Sequence, residues 1–119
     1  MNLGTVRAQF IKMSGRDDLV NSDGSDNGAN FYINAGQEFL DKRFGYEEVQ
    51  LEMSDNTDTS YWTLEAPVTL LFAALYQLEA SYRNTEGAKD WLNVIDLDLL
   101  GMEKDKISEE IMGVDQMEG

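Results

Sequence analysis

Histidine and cysteine are both absent from the 119-residue chain, and proline occurs once. Without imidazole or thiol, the usual nucleophilic, metal-binding and proton-transfer constellations cannot be assembled, which leaves carboxylates, Lys, Tyr and Ser as the available chemical groups. Disulfides cannot form, so the fold must rest on its core alone. Basic residues are scarce as well: 9 Lys and Arg stand against 23 Asp and Glu, a net charge of −14. Such a surface repels polyanions, because nucleic-acid binding depends on cations that neutralise phosphates. Long apolar runs are missing too. The most apolar stretch, Val68 to Leu78, falls short of the roughly 20 residues needed to cross a bilayer and is interrupted by Tyr76 and Gln77. The opening Met1-Asn2-Leu3-Gly4-Thr5-Val6-Arg7 carries no basic stretch followed by an apolar run, so export by a signal peptide is not expected.

What is present suits one domain with a modest core, since 42% of residues are hydrophobic. Leu3, Val6, Phe10 and Met13 recur at helical spacing, with Arg7, Gln9 and Lys12 on the other side, predicting a helix that stops at Ser14-Gly15. Asn21 to Gly28 is rich in turn formers and predicts a loop. A second helix follows from about Gly28 to Phe44, capped by Asp26 or Asn27, with Tyr32, Ala35, Phe39 and Leu40 on its buried stripe and Lys42 and Arg43 at its negative end. Val49, Leu51 and Met53 alternate with Glu48, Gln50 and Glu52, predicting one short strand or hairpin remnant at about 46–53 with no legible strand partner. Ser54 to Ser60 is a second loop, leading to Tyr61 and Trp62, which are expected in the core. Pro67 opens a third helix, whose Leu70, Leu71, Ala74, Leu75 and Leu78 form an apolar face, with small Ala73, Ala74 and Ala80 allowing close helix approach. Asn84 to Gly87 breaks the chain, and Ala88, Trp91, Leu92, Ile95 and Leu99 predict a fourth, antiparallel helix ending near Gly101. The fold class is therefore mainly α: a bundle of about four helices over residues 1–101, with a C-terminal arm over 102–119. On that arm Ile107 and Ile111 lie one helical turn apart among charges, a thin apolar stripe that fits docking, a short terminal helix folded back on the domain, or a frayed tail.

Chemical motifs are few. Asp23-Gly24-Ser25-Asp26-Asn27-Gly28 matches the first half of a calcium loop, but its twelfth position is Asn34 where a bidentate glutamate is required. A turn capping the second helix is the better reading, and no metal is expected. No glycine-rich phosphate loop follows a strand, and the many carboxylates give only chance pairs for glycoside chemistry. No catalytic residue and no cofactor is expected, and the chain does not read as an enzyme.

Two segments carry a resemblance. Asp26-Asn27-Gly28-Ala29-Asn30-Phe31-Tyr32-Ile33-Asn34-Ala35-Gly36-Gln37 and Ala73 to Gly87 resemble a family of tailed-bacteriophage structural proteins, the head-to-tail connectors or adaptors. Leu3 to Leu19, with Gln9-Phe10 and Ser14-Gly15-Arg16, and the ending Val114 to Gly119 fit the same group. The resemblance implies a helical subunit in a ring, commonly of twelve copies, stacked on the portal protein in the neck of the virion. A tail or neck protein would meet the other side, and DNA would pass through an acidic lumen without specific binding. Under it, Ile107, Ile111, Met112, Val114 and Met117 on the C-terminal arm are the candidate portal-binding residues. The family carries a longer β-rich segment before the stretch like Thr57 to Trp62, whereas only Gly45 to Asn56 intervenes here. Either the insert is naturally short or an internal segment is omitted. Acidity alone also fits a second reading, a DNA-mimicking inhibitor of a basic host protein.

Overall fold

The computed structural model describes the backbone of residues 1–44 and 51–118, and the side chains of those residues up to 102. Five α-helices account for it: α1 (Leu3–Ser14), α2 (Ala29–Phe44), α3 (Tyr61–Glu65), α4 (Pro67–Ser81) and α5 (Thr85–Glu118), with a 3-10 turn at Asp17–Leu19. The fold is mainly α, as the periodicity predicts, and no β ladder occurs among the described residues.

α4 is the central element. Leu70, Leu71, Ala74, Leu75 and Leu78 are all buried, together with Ala73. Pro67 sits in its first turn, where a missing N–H costs nothing. α2 packs antiparallel across it, and Gly36 is what lets the two backbones meet. A Cβ at this position would lie 2.8 Å from the Ala74 nitrogen and 3.0 Å from the Ala73 carbonyl carbon. This contact rotates the buried face of α2 away from the expected stripe. Ala29, Ile33, Gly36, Gln37, Leu40 and Asp41 are buried, while Tyr32, Ala35 and Phe39 are only half-buried. Counting apolar residues misplaces the stripe because its centre is a residue without a side chain.

α1 begins under an Asn2 cap, whose Oδ1 accepts from the Thr5 N–H at 3.0 Å, and ends at Gly15 with φ 70°. Two of its first-turn amides are satisfied across the chain: Leu3 N–H donates to the Asp58 carbonyl (2.8 Å) and Gly4 N–H to the Asn56 carbonyl (3.0 Å). Leu3, Val6 and Phe10 are buried as expected, but Met13 is exposed. Arg7, predicted on the polar side, is 4% exposed. Its guanidinium donates to the Gly24 carbonyl (3.1 Å), Asn30 Oδ1 (3.2 Å) and Asn56 Oδ1, pinning both loops and the start of α2 to α1. A forked, permanently charged group is tolerated inside because neutral oxygens meet its donors.

The strand expected at about 46–53 falls partly on 45–50, outside the described residues, and 51–53 join no ladder. The partner that the sequence does not reveal is a pair of amide side chains on α2. Met53 N–H donates to Asn34 Oδ1 (2.9 Å), Asn34 Nδ2 donates to the Met53 carbonyl (2.8 Å), and Gln37 Nε2 donates to the Leu51 carbonyl (2.9 Å). Asn34 thus reproduces the two-bond exchange of a β bridge with one side chain.

Ser60 and Thr63 form a capping box that opens α3, a single turn too short to leave a periodic signal. It buries Trp62 completely, and Trp62 Nε1 donates to the buried Asp41 Oδ1 at 2.7 Å. α5 returns antiparallel to α4, with Ile95 and Leu99 buried and Trp91 stacked on Phe72 at 5.3 Å. It does not stop at Gly101: the helix is continuous to Glu118, so the division expected there falls inside an element. A lone glycine weakens a helix by only about 1 kcal/mol, less than the preference of the flanking residues can offset.

Candidate functional site

α5 has two faces. One, carrying Trp91, Ile95, Leu99 and Met102, packs on α4. On the other, among the described residues, Leu97 is 69% exposed and Leu100 is 47% exposed. Beside it, Leu64 and Val68 at the α3–α4 junction are also exposed. An open groove of about 530 Å³ runs between these elements, lined by Val68, Thr69, Leu97, Asp98, Gly101 and Met102 among others.

Polar contacts fix α5 at this end. Thr69 Oγ1 donates to Asp98 Oδ2 (3.1 Å). Arg43, at the last turn of α2, forks onto Asp96 with contacts of 2.5 and 2.8 Å. The Arg43 hydrogen bonds hold the Asp96 carboxyl below its ordinary range and raise the guanidinium in turn. Both side chains are over a third exposed, so solvent screens the pair and its role is to set where α5 lies, not to stabilise it much.

Ile107, Ile111, Met112, Val114 and Met117 all fall on the part of α5 beyond Gly101. Their backbone is helical, and their side chains lie outside the described residues. The structure therefore places the five on one continuous helix with Leu97 and Leu100. Sequence reasoning passed over those two leucines because it ended the helix at Gly101. Following the three-and-four spacing backwards from Ile107 reaches Leu100 and Leu97 and would have found them.

The calcium-like loop is internally satisfied. Asp23 Oδ1 accepts from Ser25 N–H (3.0 Å) and its hydroxyl (2.6 Å), contacts that lower the Asp23 pKa. Asp26 Oδ1 accepts from Gly28 N–H (3.1 Å) and Asn30 N–H (2.8 Å), opening α2 as a cap. Among the described residues no cluster of three or more metal-ligating side chains occurs, and no helix is long and apolar enough to cross a membrane.

The electrostatics are one-sided. Arg7 is buried, and Arg16, Lys42 and Arg43 are engaged with Asp18, Glu38 and Asp96. Lys12, Arg83 and Lys89 take part in none of these ion pairs, but with 23 Asp and Glu against 9 Lys and Arg the net charge of −14 leaves the field outside the bundle negative. Compared with known proteins, the chain matches no family model, no curated protein and no solved structure.

Proposed function

We propose that this chain is a head-to-tail connector subunit of a tailed bacteriophage: a non-enzymatic virion protein of the neck that forms a ring, of twelve copies as the resemblance implies, on the portal. A tail or neck protein contacts the ring from the other side, and DNA passes through its acidic lumen without specific binding. The observation that carries the reading is the resemblance of Asp26–Gln37 and Ala73–Gly87. These two segments lie against each other in the α2–α4 seam, where Gly36 meets Ala73 and Ala74 and Tyr32 approaches Ser81. Both segments that carry the likeness thus belong to one packed unit of this fold.

The long α5 supports the portal contact. At 1.5 Å per residue its 34 residues span about 51 Å, against about 22 Å for α4. The part carrying Ile107, Ile111, Met112, Val114 and Met117 therefore runs past the first residue of α4, as an arm reaching a neighbour would. The surplus of carboxylates supports a lumen on which DNA slides, since like charge prevents adhesion. Removal of residues 104–119 tests the arm: portal binding should be lost while the bundle keeps its helical circular dichroism, and undiminished binding refutes the assignment. The DNA-mimic reading shares the acidity but requires no portal contact. It would gain if the chain bound a basic host protein as a monomer with steep salt dependence.

A further inference from the structure

The turn between α4 and α5 puts an arginine where glycine would serve the fold better. After the Tyr82 cap, Arg83 N–H donates to the Ala80 carbonyl and Asn84 N–H to the Glu79 carbonyl, each at 3.1 Å. This pair of return bonds closes a helix when the residue after the cap is left-handed, a position glycine usually holds because a Cβ is disfavoured there. Here that residue is Arg83, at φ 60°, and among the described residues no other non-glycine has a positive φ. Asn84, a residue type that tolerates the conformation better than arginine, stands one position later and is engaged elsewhere. Its Oδ1 accepts from Gly87 N–H (3.3 Å) at the start of α5, and its Nδ2 donates to Glu79 Oε2 (2.8 Å). Nothing within the chain uses the arginine side chain: it is exposed, and among the described residues its guanidinium makes no hydrogen bond or ion pair. Strain held at an exposed, unpaired cation points to a role outside the subunit. We infer that Arg83 serves a contact between subunits, its guanidinium taking a carboxylate of a second copy of this chain.

The surroundings suit such a contact. Tyr82, next to it, is 51% exposed, and the Arg16 guanidinium lies over its ring, 5.0 Å from the centroid. Arg16 is itself forked onto Asp18 with two bonds of 2.8 Å, which leaves Arg83 as the free cation of the patch. An exposed tyrosine beside a free arginine is the composition that protein contacts favour. Charge complementarity selects the occupant. Each copy carries a net −14 with 23 Asp and Glu, so two copies repel unless a cation of one meets a carboxylate of the other. In a ring each copy meets its neighbours through two different surfaces, so the Arg83 corner of one can face carboxylates of the next all the way round. A guanidinium forks onto a carboxylate with two parallel bonds, which an ammonium cannot reproduce. A nucleic-acid phosphate fits the same fork, but a polyanion is held by several free cations together, and Arg16 is already neutralised by Asp18. The inference rests on the connector reading for the ring and names one of its subunit contacts.

Arg83→Gly tests it, because strain and contact predict opposite effects. The variant should melt a few degrees above the parent chain as the left-handed turn relaxes. Ring formation on the portal, imaged by electron microscopy, should nevertheless need roughly tenfold more protein. Assembly lost by a chain that has become more stable cannot come from misfolding, and a variant that melts no higher overturns the premise. Lys89→Ala removes an exposed cation from an ordinary helical position and should leave the ring unchanged; an equal loss there would assign the effect to net charge and overturn the contact. Arg83→Lys places an amine at the same point, which a carbodiimide joins to a carboxylate in contact, and peptide mapping of the assembled ring should find it linked to an adjacent copy. Links to portal peptides instead overturn the inference. So do rings formed as readily by Arg83→Gly as by the parent; if the parent then retains DNA that the variant releases, the cation belongs to phosphate. Either result leaves the connector reading intact. Portal that stays bare with the parent chain refutes that reading, and sedimentation equilibrium of the chain alone then decides: self-association weakened by Arg83→Gly upholds the contact, and a monomer at every concentration overturns it as well.

Discussion

Gly36 and Arg7 are the residues on which the bundle most depends, and neither stands out by hydrophobicity. Gly36→Ala forces a methyl into the backbone of α4, and overpacking of this kind costs about 1–3 kcal/mol. Thermal or urea unfolding should show that loss, although alanine is the better helix former. Arg7→Met removes the charged donors that tie the half-buried Asn30 and the exposed Gly24 and Asn56 to α1, and the loss of these charge-assisted bonds should cost about 1–3 kcal/mol. Arg7→Lys should recover little of this, since a single ammonium cannot fork toward three separate acceptors. If Arg7→Lys unfolds at the same urea concentration as the parent chain, the hub is not geometric.

At the scale of elements, the two α2 amides separate cleanly. Asn34 engages both the N–H and the carbonyl of Met53, whereas Gln37 gives one bond, and its Oε1 is the one buried side-chain oxygen or nitrogen without a hydrogen-bond partner among the described residues. Asn34→Leu strands two backbone groups and should cost about 2–4 kcal/mol, while Gln37→Leu removes an unsatisfied oxygen with the bond and should cost about 1 kcal/mol or less. Equal losses in urea unfolding would contradict the bridge. This pairing also explains what the sequence could and could not reveal. Helices with an apolar face and a cap were legible: Leu3, Val6 and Phe10 place α1, Asp26 caps α2, and Pro67 with its leucines places α4. The alternation at Leu51 and Met53 predicts a strand that 51–53 do not form; they are held instead by Asn34 and Gln37, through side chains with no periodic signature. α3 was hidden by its length, and the open face of α5 by a glycine that does not end the helix.

For the whole molecule, acid should unfold the protein through particular carboxylates. Asp58 Oδ2 accepts from Ser54 and Asp55 N–H groups, both at 2.9 Å, and these bonds lower its pKa; Arg43 does the same for Asp96. A group whose folded pKa is depressed contributes stability that is complete above its unfolded value, about 3.9 for Asp, and is lost as pH falls through the folded value. Stability should therefore hold through mildly acid pH and decline below about pH 4. Asp58→Asn should flatten that decline, as read from urea midpoints across pH; an unchanged slope would remove Asp58 from the account. The same carboxylate excess, a net −14 over a small helical bundle, is what a DNA passage would require of its wall. The connector assignment itself is tested most directly by mixing the protein with the portal protein of the same genome and imaging the mixture beside portal alone by electron microscopy. A ring of added density on the tail-facing end of the portal, with α5 at the contact, is the predicted result. Portal particles that remain bare at every protein concentration would contradict it.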